Sequence, residues 1–256
     1  FERSIIAASR HGDRRRRAQA RLELGRLDLD RQDNRRAEAQ LVAALRDAEA
    51  SGDDLTAADA DGWLLQAVGD RSDQPEAAQL LFERGMGRLE GLGLAHSFRA
   101  FDLHLRAANA ARRTGHTAAA KRLLDQAATL RQALGPDEHR LAREEQHRAD
   151  LAAELGDYPT AIAIMRVALT RFRRELGPEA LAVAMALRTL GQHERMAGDH
   201  AAAERSLNHA QSIFSRRIGP DSLDAASVHT ELADLYYTTE RPARALYHAH
   251  RSEPLD

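Results

Sequence analysis

RELGPEALAVAMALRTLGQHERMAGDHAAAERSL, residues 174–207, holds a turn (Leu176-Gly177-Pro178), an apolar run broken by polar residues, a second turn (Gly198-Asp199-His200) and a run of small residues (Ala201-Ala202-Ala203). The order recurs along the chain. Leu134-Gly135-Pro136-Asp137, Leu176-Gly177-Pro178-Glu179 and Ile218-Gly219-Pro220-Asp221 start at 134, 176 and 218, a step of 42 residues. A small residue recurs at Gly25, Ala108, Ala149, Gly191 and Ala233, with Gln66 breaking the series in the second copy. A second small column runs through Ala37, Ala78, Ala120, Ala161, Ala203 and Ala245. Four residues on stands a larger apolar group, Leu41, Phe82, Leu124, Met165 and Leu207, and then Ala44, Gly85, Ala127, Ala168 and Ala210. A fixed step of this length marks a repeat array, in which no unit buries its apolar face alone and neighbours must stack.

Composition agrees with helix throughout. The 256 residues are rich in Ala and Leu, 4% aromatic, and hold few Pro and almost no Val-Ile-Thr runs, the reverse of strand-forming composition. The columns fit antiparallel helix pairs: a small residue where two helices cross lets the backbones approach, and a large one a turn away fills the space beside it. Between pairs, Gly177 and Gly219 are expected in the left-handed position that ends a helix, each with its Pro in the first turn of the next. Within pairs, Gly115-His116, Gly156-Asp157-Tyr158 and Gly198-Asp199-His200 are short turns, whereas Gln32, Asp73 and Glu240-Arg241-Pro242 stand where Gly is expected. The fold expected is all-α, a solenoid of about six stacked pairs at roughly 15–54, 55–96, 97–136, 137–178, 179–220 and 221–252.

A net charge of −2 with 30% charged residues gives no whole-chain attraction to nucleic acid or anionic lipid. No stretch reaches the roughly 18 to 20 apolar residues of a membrane span. Cysteine is absent, which excludes disulfides and thiol chemistry and fits a reducing cytosol, so a cytoplasmic location is expected. The start, Phe1-Glu2-Arg3-Ser4, has neither an initiator Met nor the form of a signal peptide, and we expect a piece of a longer protein. Of the 37 Lys and Arg residues only Lys121 is lysine, a bias we read as codon usage in a GC-rich bacterium.

No constellation of catalytic residues emerges. His193-Glu194 opens like the helical zinc motif His-Glu-x-x-His, but Ala197 stands where the second ligand belongs. His248 and His250, two apart, point in different directions on a helix and are expected in solvent or on a groove wall. Gly85-Met86-Gly87 and Gly91-Leu92-Gly93 match no nucleotide fingerprint, since no strand precedes them. Arg14-Arg15-Arg16-Arg17 lacks interleaved aromatics and is expected as a solvated helical face near Asp28, Asp30 and Asp33. Trp63 is expected to serve packing. Neither metal nor cofactor is called for, and no enzymatic activity is expected.

The helix pairs, the Gly-Asp-Tyr turn and the 42-residue step with Leu-Gly-Pro-Asp resemble the tetratricopeptide repeat in its longer, kinesin-light-chain-like variety, over about residues 15–252 and most clearly over 98–249. The resemblance implies a right-handed superhelix whose inner surface, lined by first helices, binds peptides or segments of partner proteins. It turns inward Leu105, Asn109 and Arg112 in the third copy, Gln146, Asp150 and Ala153 in the fourth, Arg188, Gln192 and Arg195 in the fifth, and Thr230, Asp234 and Tyr237 in the sixth. Arg106, Arg113, Arg143 and His147 adjoin this wall. Amides can hydrogen-bond an extended backbone and guanidinium groups hold carboxylates bidentately, so an acidic segment docking near Leu105 and Tyr237 is the partner expected. Two roles fit: an adaptor or sensor module of a larger bacterial signalling or effector protein, or a receptor for a peptide pheromone or small ligand that controls an attached output domain.

Overall fold

The structure is a computed structural model that describes residues 1–69 and 75–252. Among the described residues there are 13 α-helices and no strand: α1 (Glu2–Arg10), α2 (Arg14–Asp30), α3 (Asn34–Ser51), α4 (Asp54–Gly69), α5 (Pro75–Gly91), α6 (Phe98–Arg113), α7 (Thr117–Leu134), α8 (Glu138–Glu154), α9 (Tyr158–Leu176), α10 (Leu181–Met196), α11 (His200–Arg217), α12 (Leu223–Thr238) and α13 (Pro242–Ser252). From α2 onward they form successive antiparallel pairs, as the repeat columns require. The pairs fall into two compact units, residues 1–136 and 137–256. In the first unit α3 packs on α4 and α5 on α6. In the second, α9 packs on α10 and α11 on α12.

Both small columns lie where helices cross. Ala37, Ala120, Ala161 and Ala203 are fully buried, as are Leu41, Met165 and Leu207. The approach is closest where the first-helix column holds Gly. A Cβ at Gly25 would lie 2.6 Å from Leu41 Cγ, and one at Gly191 would lie 2.7 Å from Leu207 Cγ. The same two repeat positions thus make the same contact in the first and fifth pairs.

Many of the helix starts are fixed by a side-chain cap, and an Asp recurs in that place with the repeat. The carboxylates of Asp33, Asp157 and Asp199 accept the amide N–H three residues on, at 3.0, 3.2 and 3.0 Å, within three of the pairs. Asp13, Asp53 and Asp137 do so at the entrances of α2, α4 and α8, at 3.0, 3.2 and 2.8 Å. Each such cap is worth about 1 kcal/mol.

The turns correct the sequence reading in detail. Gly135 and Gly177 have positive φ, but with ψ of 178° and 157° they occupy an extended region open to Gly alone, not the left-handed helical one. Pro136, Pro178 and Pro220 precede the caps Asp137, Ala180 and Ser222 and so stand before the helix, not in its first turn. Gln32 and Glu240 take positive φ, 58° and 56°, where other copies use Gly115, Gly156 and Gly198; the fold imposes the turn even without glycine. Asp73 lies outside the described residues.

Two further expectations change. Arg14–Arg17 opens α2, but Arg15 pairs with Asp53, Arg16 with Asp13 and Arg17 with Asp47, so its partners are not Asp28, Asp30 and Asp33. His248, expected in solvent or on a groove wall, is buried while His250 is exposed. The His248 and His229 Nδ1 atoms are 2.7 Å apart, and Gln211 Nε2 lies 3.0 Å from His229 Nε2. With the Gln211 amide donating there, His229 Nδ1–H donates to His248 Nδ1, tying α13 to α12. Tyr236 stacks on His248 and Tyr247 meets its edge.

Two outcomes follow from this packing. Gly87 is exposed in α5 with open space around it, so Gly87→Ala should gain up to about 1 kcal/mol from helix propensity. Gly191→Ala should lose on the order of 1 kcal/mol as the clash with Leu207 outweighs that gain; denaturant titration gives both signs, and stabilisation by Gly191→Ala would refute the close crossing. The second concerns acid. Burial first, then His229 and Arg244, push His248 down to about 4, and burial and Arg251 lower His229. A histidine lowered in the folded state contributes fully above its ordinary value near 6.5, and loses that contribution as pH falls toward 4. Amide exchange in α13 should therefore accelerate relative to α11 between pH 6.5 and 4.5; an unchanged ratio would show that the imidazole pair does not hold the helix.

Candidate partner-binding surface

In the first unit the exposed flanks of α2, α4 and α6 converge on Trp63. Its half-buried ring packs against the core beneath. Above it the Arg26 guanidinium carbon stands 4.9 Å from the ring centroid and that of Arg106 stands 3.8 Å away. Such contacts are worth roughly 0.5 to 2 kcal/mol each. Trp63 therefore packs, as expected, and also seats Arg106 between α4 and α6. Beside it Arg99 Nε pairs with Asp59 at 3.1 Å, and burial raises the Asp59 carboxyl despite Arg99. Further along α6, Arg112 donates to Asn109 Oδ1 at 3.0 Å, so these two predicted residues meet, while Arg113 is exposed. Leu105 does not belong to this surface. It is fully buried, because α6 packs against α4, α5 and α7 and keeps only a narrow strip open.

In the second unit a strip at the corresponding repeat positions runs over α8, α10 and α12. Arg143, Gln146 and His147 are half-buried on α8. On α10, Arg188, Gln192 and Arg195 follow at i, i+4 and i+7 and share one face; the two arginines are half-buried and Gln192 is exposed. Tyr237 on α12 is 81% exposed, and Thr230 and Asp234 are exposed as well. Two contacts cross between first helices: His193 Nε2 lies 3.4 Å from Asp150 Oδ1, and Arg195 Nη2 lies 3.4 Å from Glu231 Oε2. Arg106, Arg112, Arg113, Arg143 and His147 are each engaged in a polar, ionic or ring contact. Arg188 differs. No ion pair or hydrogen bond to it is found among the described residues, and its Nε is buried without an acceptor, as is the Nε of Arg195.

Sequence reasoning missed Arg26, whose place over Trp63 depends on how α2 and α4 meet. The first-helix column one residue past Gly25 did point to it. His193 and Glu194 are both buried; Glu194 accepts from Arg166 and from Ser206 and so ties helices together. Among the described residues no group of three or more metal-ligating side chains is found, and no helix is long and apolar enough to cross a membrane.

A tetratricopeptide-repeat family model matches residues 145–216. No curated protein matches the chain. Among solved structures, BtubC (BKLC) from P. vanneervenii is 19% identical with a TM-score of 0.57, over 98% of this chain and 89% of that one. A Rap protein complexed with Competence and Sporulation Factor is 13% identical with a TM-score of 0.68, over 93% and 74%. The apo form of RapI is 11% identical with a TM-score of 0.57, over 98% and 78%. These likenesses are of fold; the repeat family's model is matched over residues 145–216, and the step of 41 or 42 residues carries the same helix-pair pattern through the other copies.

Proposed function

We propose that the protein is a non-catalytic interaction module that binds an extended segment of a partner protein along its first helices. It would act as the adaptor or sensor part of a larger signalling, regulatory or effector protein in the cytoplasm. One observation carries this reading: the stripe Arg188, Gln192 and Arg195 on α10. Buried polar groups in folded proteins are almost always hydrogen-bonded, yet two guanidinium Nε atoms here have no acceptor. A carboxylate laid along α10 would supply it, and bidentate pairing of Arg with carboxylate is among the stronger charge-assisted bonds. Gln192 beside them and Gln146 on α8 offer amides to an extended backbone, and the exposed ring of Tyr237 offers an apolar contact. The partner is therefore an acidic segment with apolar residues between its acids. In the first unit, Arg106 seated on Trp63, with Asn109, Arg112 and Arg113, would present the same chemistry.

The Rap neighbour, solved complexed with Competence and Sporulation Factor, favours a second reading within the same class. In it the surface captures a small signal, such as a peptide pheromone, and controls an attached output domain. Both readings place the ligand on the first helices.

Arg188→Glu should weaken binding of acidic peptides selected from a fluorescent library by at least about tenfold, roughly 1.4 kcal/mol. Arg217→Glu, exposed at the end of α11, should change it little. Affinity should fall with added salt, since part of it is Coulombic. Selection of basic peptides, or equal affinity of both variants for acidic ones, would overturn the assignment.

A further inference from the structure

The opposite face of the first unit holds a second feature, unrelated to the first-helix surface. Three residues past the small column, the first helices of the fifth and sixth pairs send a long side chain outward between two second helices, where the third and fourth hold Ala111 and Ala152. In the fifth pair this is Glu194, 2% exposed, which accepts from Arg166 of α9 at 2.9 Å and from Ser206 of α11 at 2.7 Å. In the sixth it is Tyr236, 3% exposed. Its hydroxyl donates to Glu204 of α11 at 2.8 Å, and Arg241, just ahead of α13, and Arg244 of α13 lie over its ring and reach the same carboxylate. Each wedge has an apolar body and a polar end and fills the space between two parallel helices.

In the third pair the position holds Ala111. Between α5 and α7 the wedge is missing, and a cleft of about 410 Å³ opens there. That volume suits a ligand group. Its floor is apolar, made by Leu65 of α4, Phe82 of α5, Ala107 and Ala111 of α6 and Leu123 of α7. One lip carries Glu76 and Glu83, seven residues apart on the same face of α5. Glu83 accepts from Gln79 at 2.8 Å, and neither glutamate forms an ion pair among the described residues.

We infer that this cleft is a binding site for an aromatic side chain of a partner, flanked by a basic residue that pairs with Glu76 and Glu83. The partner supplies in trans the apolar-bodied, polar-ended group that Glu194 and Tyr236 supply in cis, and the two acids on one lip select a cation beside it. Arg122 on the other lip makes an acidic neighbour the competing possibility.

The test uses two small probes with one aromatic body and opposite charge, fluorotryptamine and fluoroindole acetate, followed by fluorine NMR line broadening with the full chain. Wild type should broaden the cation at least about fivefold more strongly than the anion, on the order of 1 kcal/mol of preference. Ala111→Tyr, which rebuilds the wedge, should abolish broadening of both probes. The pair Glu76→Gln and Glu83→Gln, at exposed positions, should reduce the cation to the level of the anion while circular dichroism and Trp63 emission stay unchanged. If Ala111→Tyr unfolds, the glutamine pair decides alone. Equal broadening of cation and anion by wild type, preference for the anion, no broadening at millimolar probe, or a cation preference that survives the glutamine pair would each overturn the assignment.

Discussion

The close crossing within each helix pair is the constraint on which the rest depends. Where Leu207 lies against Gly191, and Leu41 against Gly25, the distance a Cβ would have to the neighbouring side chain is well below contact, so the backbones stand as near as the helices permit. Interiors of this density respond to a single added methyl group. Because the crossing recurs every 41 or 42 residues, within each unit a pair leaves in register with the one before, and the same positions of that unit's first helices come to one surface. The alignment of Arg188, Gln192 and Arg195 with Tyr237, and of Arg26 with Trp63 and Arg106, is a consequence of that spacing.

Charge is distributed in the same register but put to different uses. Asp61 is fully buried between Arg84 and Arg88; burial raises its carboxyl even so, which marks a pair whose desolvation competes with its attraction. Asp47 between Arg17 and Arg21 is held low, chiefly by the Arg17 hydrogen bond. These guanidinium groups are committed to the fold. Arg188 forms no ion pair among the described residues, and beside so many paired arginines its buried Nε without an acceptor is informative.

The repeat was legible in the sequence because its signals are local: small residues at fixed steps, a larger apolar group a turn away, Gly in the turns. Gln32 and Glu240 show where local signals end, since their positive φ is imposed by helices on either side. The site was less legible. Leu105 occupies an inward position of the pattern, but α6 is packed against α4, α5 and α7 and the side chain is fully buried. His248 looked like a surface imidazole because nothing in the order of residues shows that His229 and Tyr236, 19 and 12 positions earlier, fold back onto it. Contacts between consecutive helices of one pair follow from the period; contacts that depend on the distance between pairs do not.

Variation at one repeat position shows how such a chain acquires different surfaces without changing its fold. Three residues past the small column, Glu194 links α9 to α11 through a carboxylate and Tyr236 links α11 to α13 through a ring and a hydroxyl, while Ala111 leaves the space between α5 and α7 unfilled. The position lies outside the closest part of the helix crossing, and the pair forms with Ala111 there as it does with Glu194. Substitution there changes what occupies the groove between second helices at little cost to the crossing itself. The first-helix column has the same latitude on the other face, where Gln146, Arg188 and Thr230 stand at equivalent places in successive copies. A repeat fold thus separates the residues that set its spacing from those that set its chemistry, and the two faces of one helix can be altered independently because they share no contact.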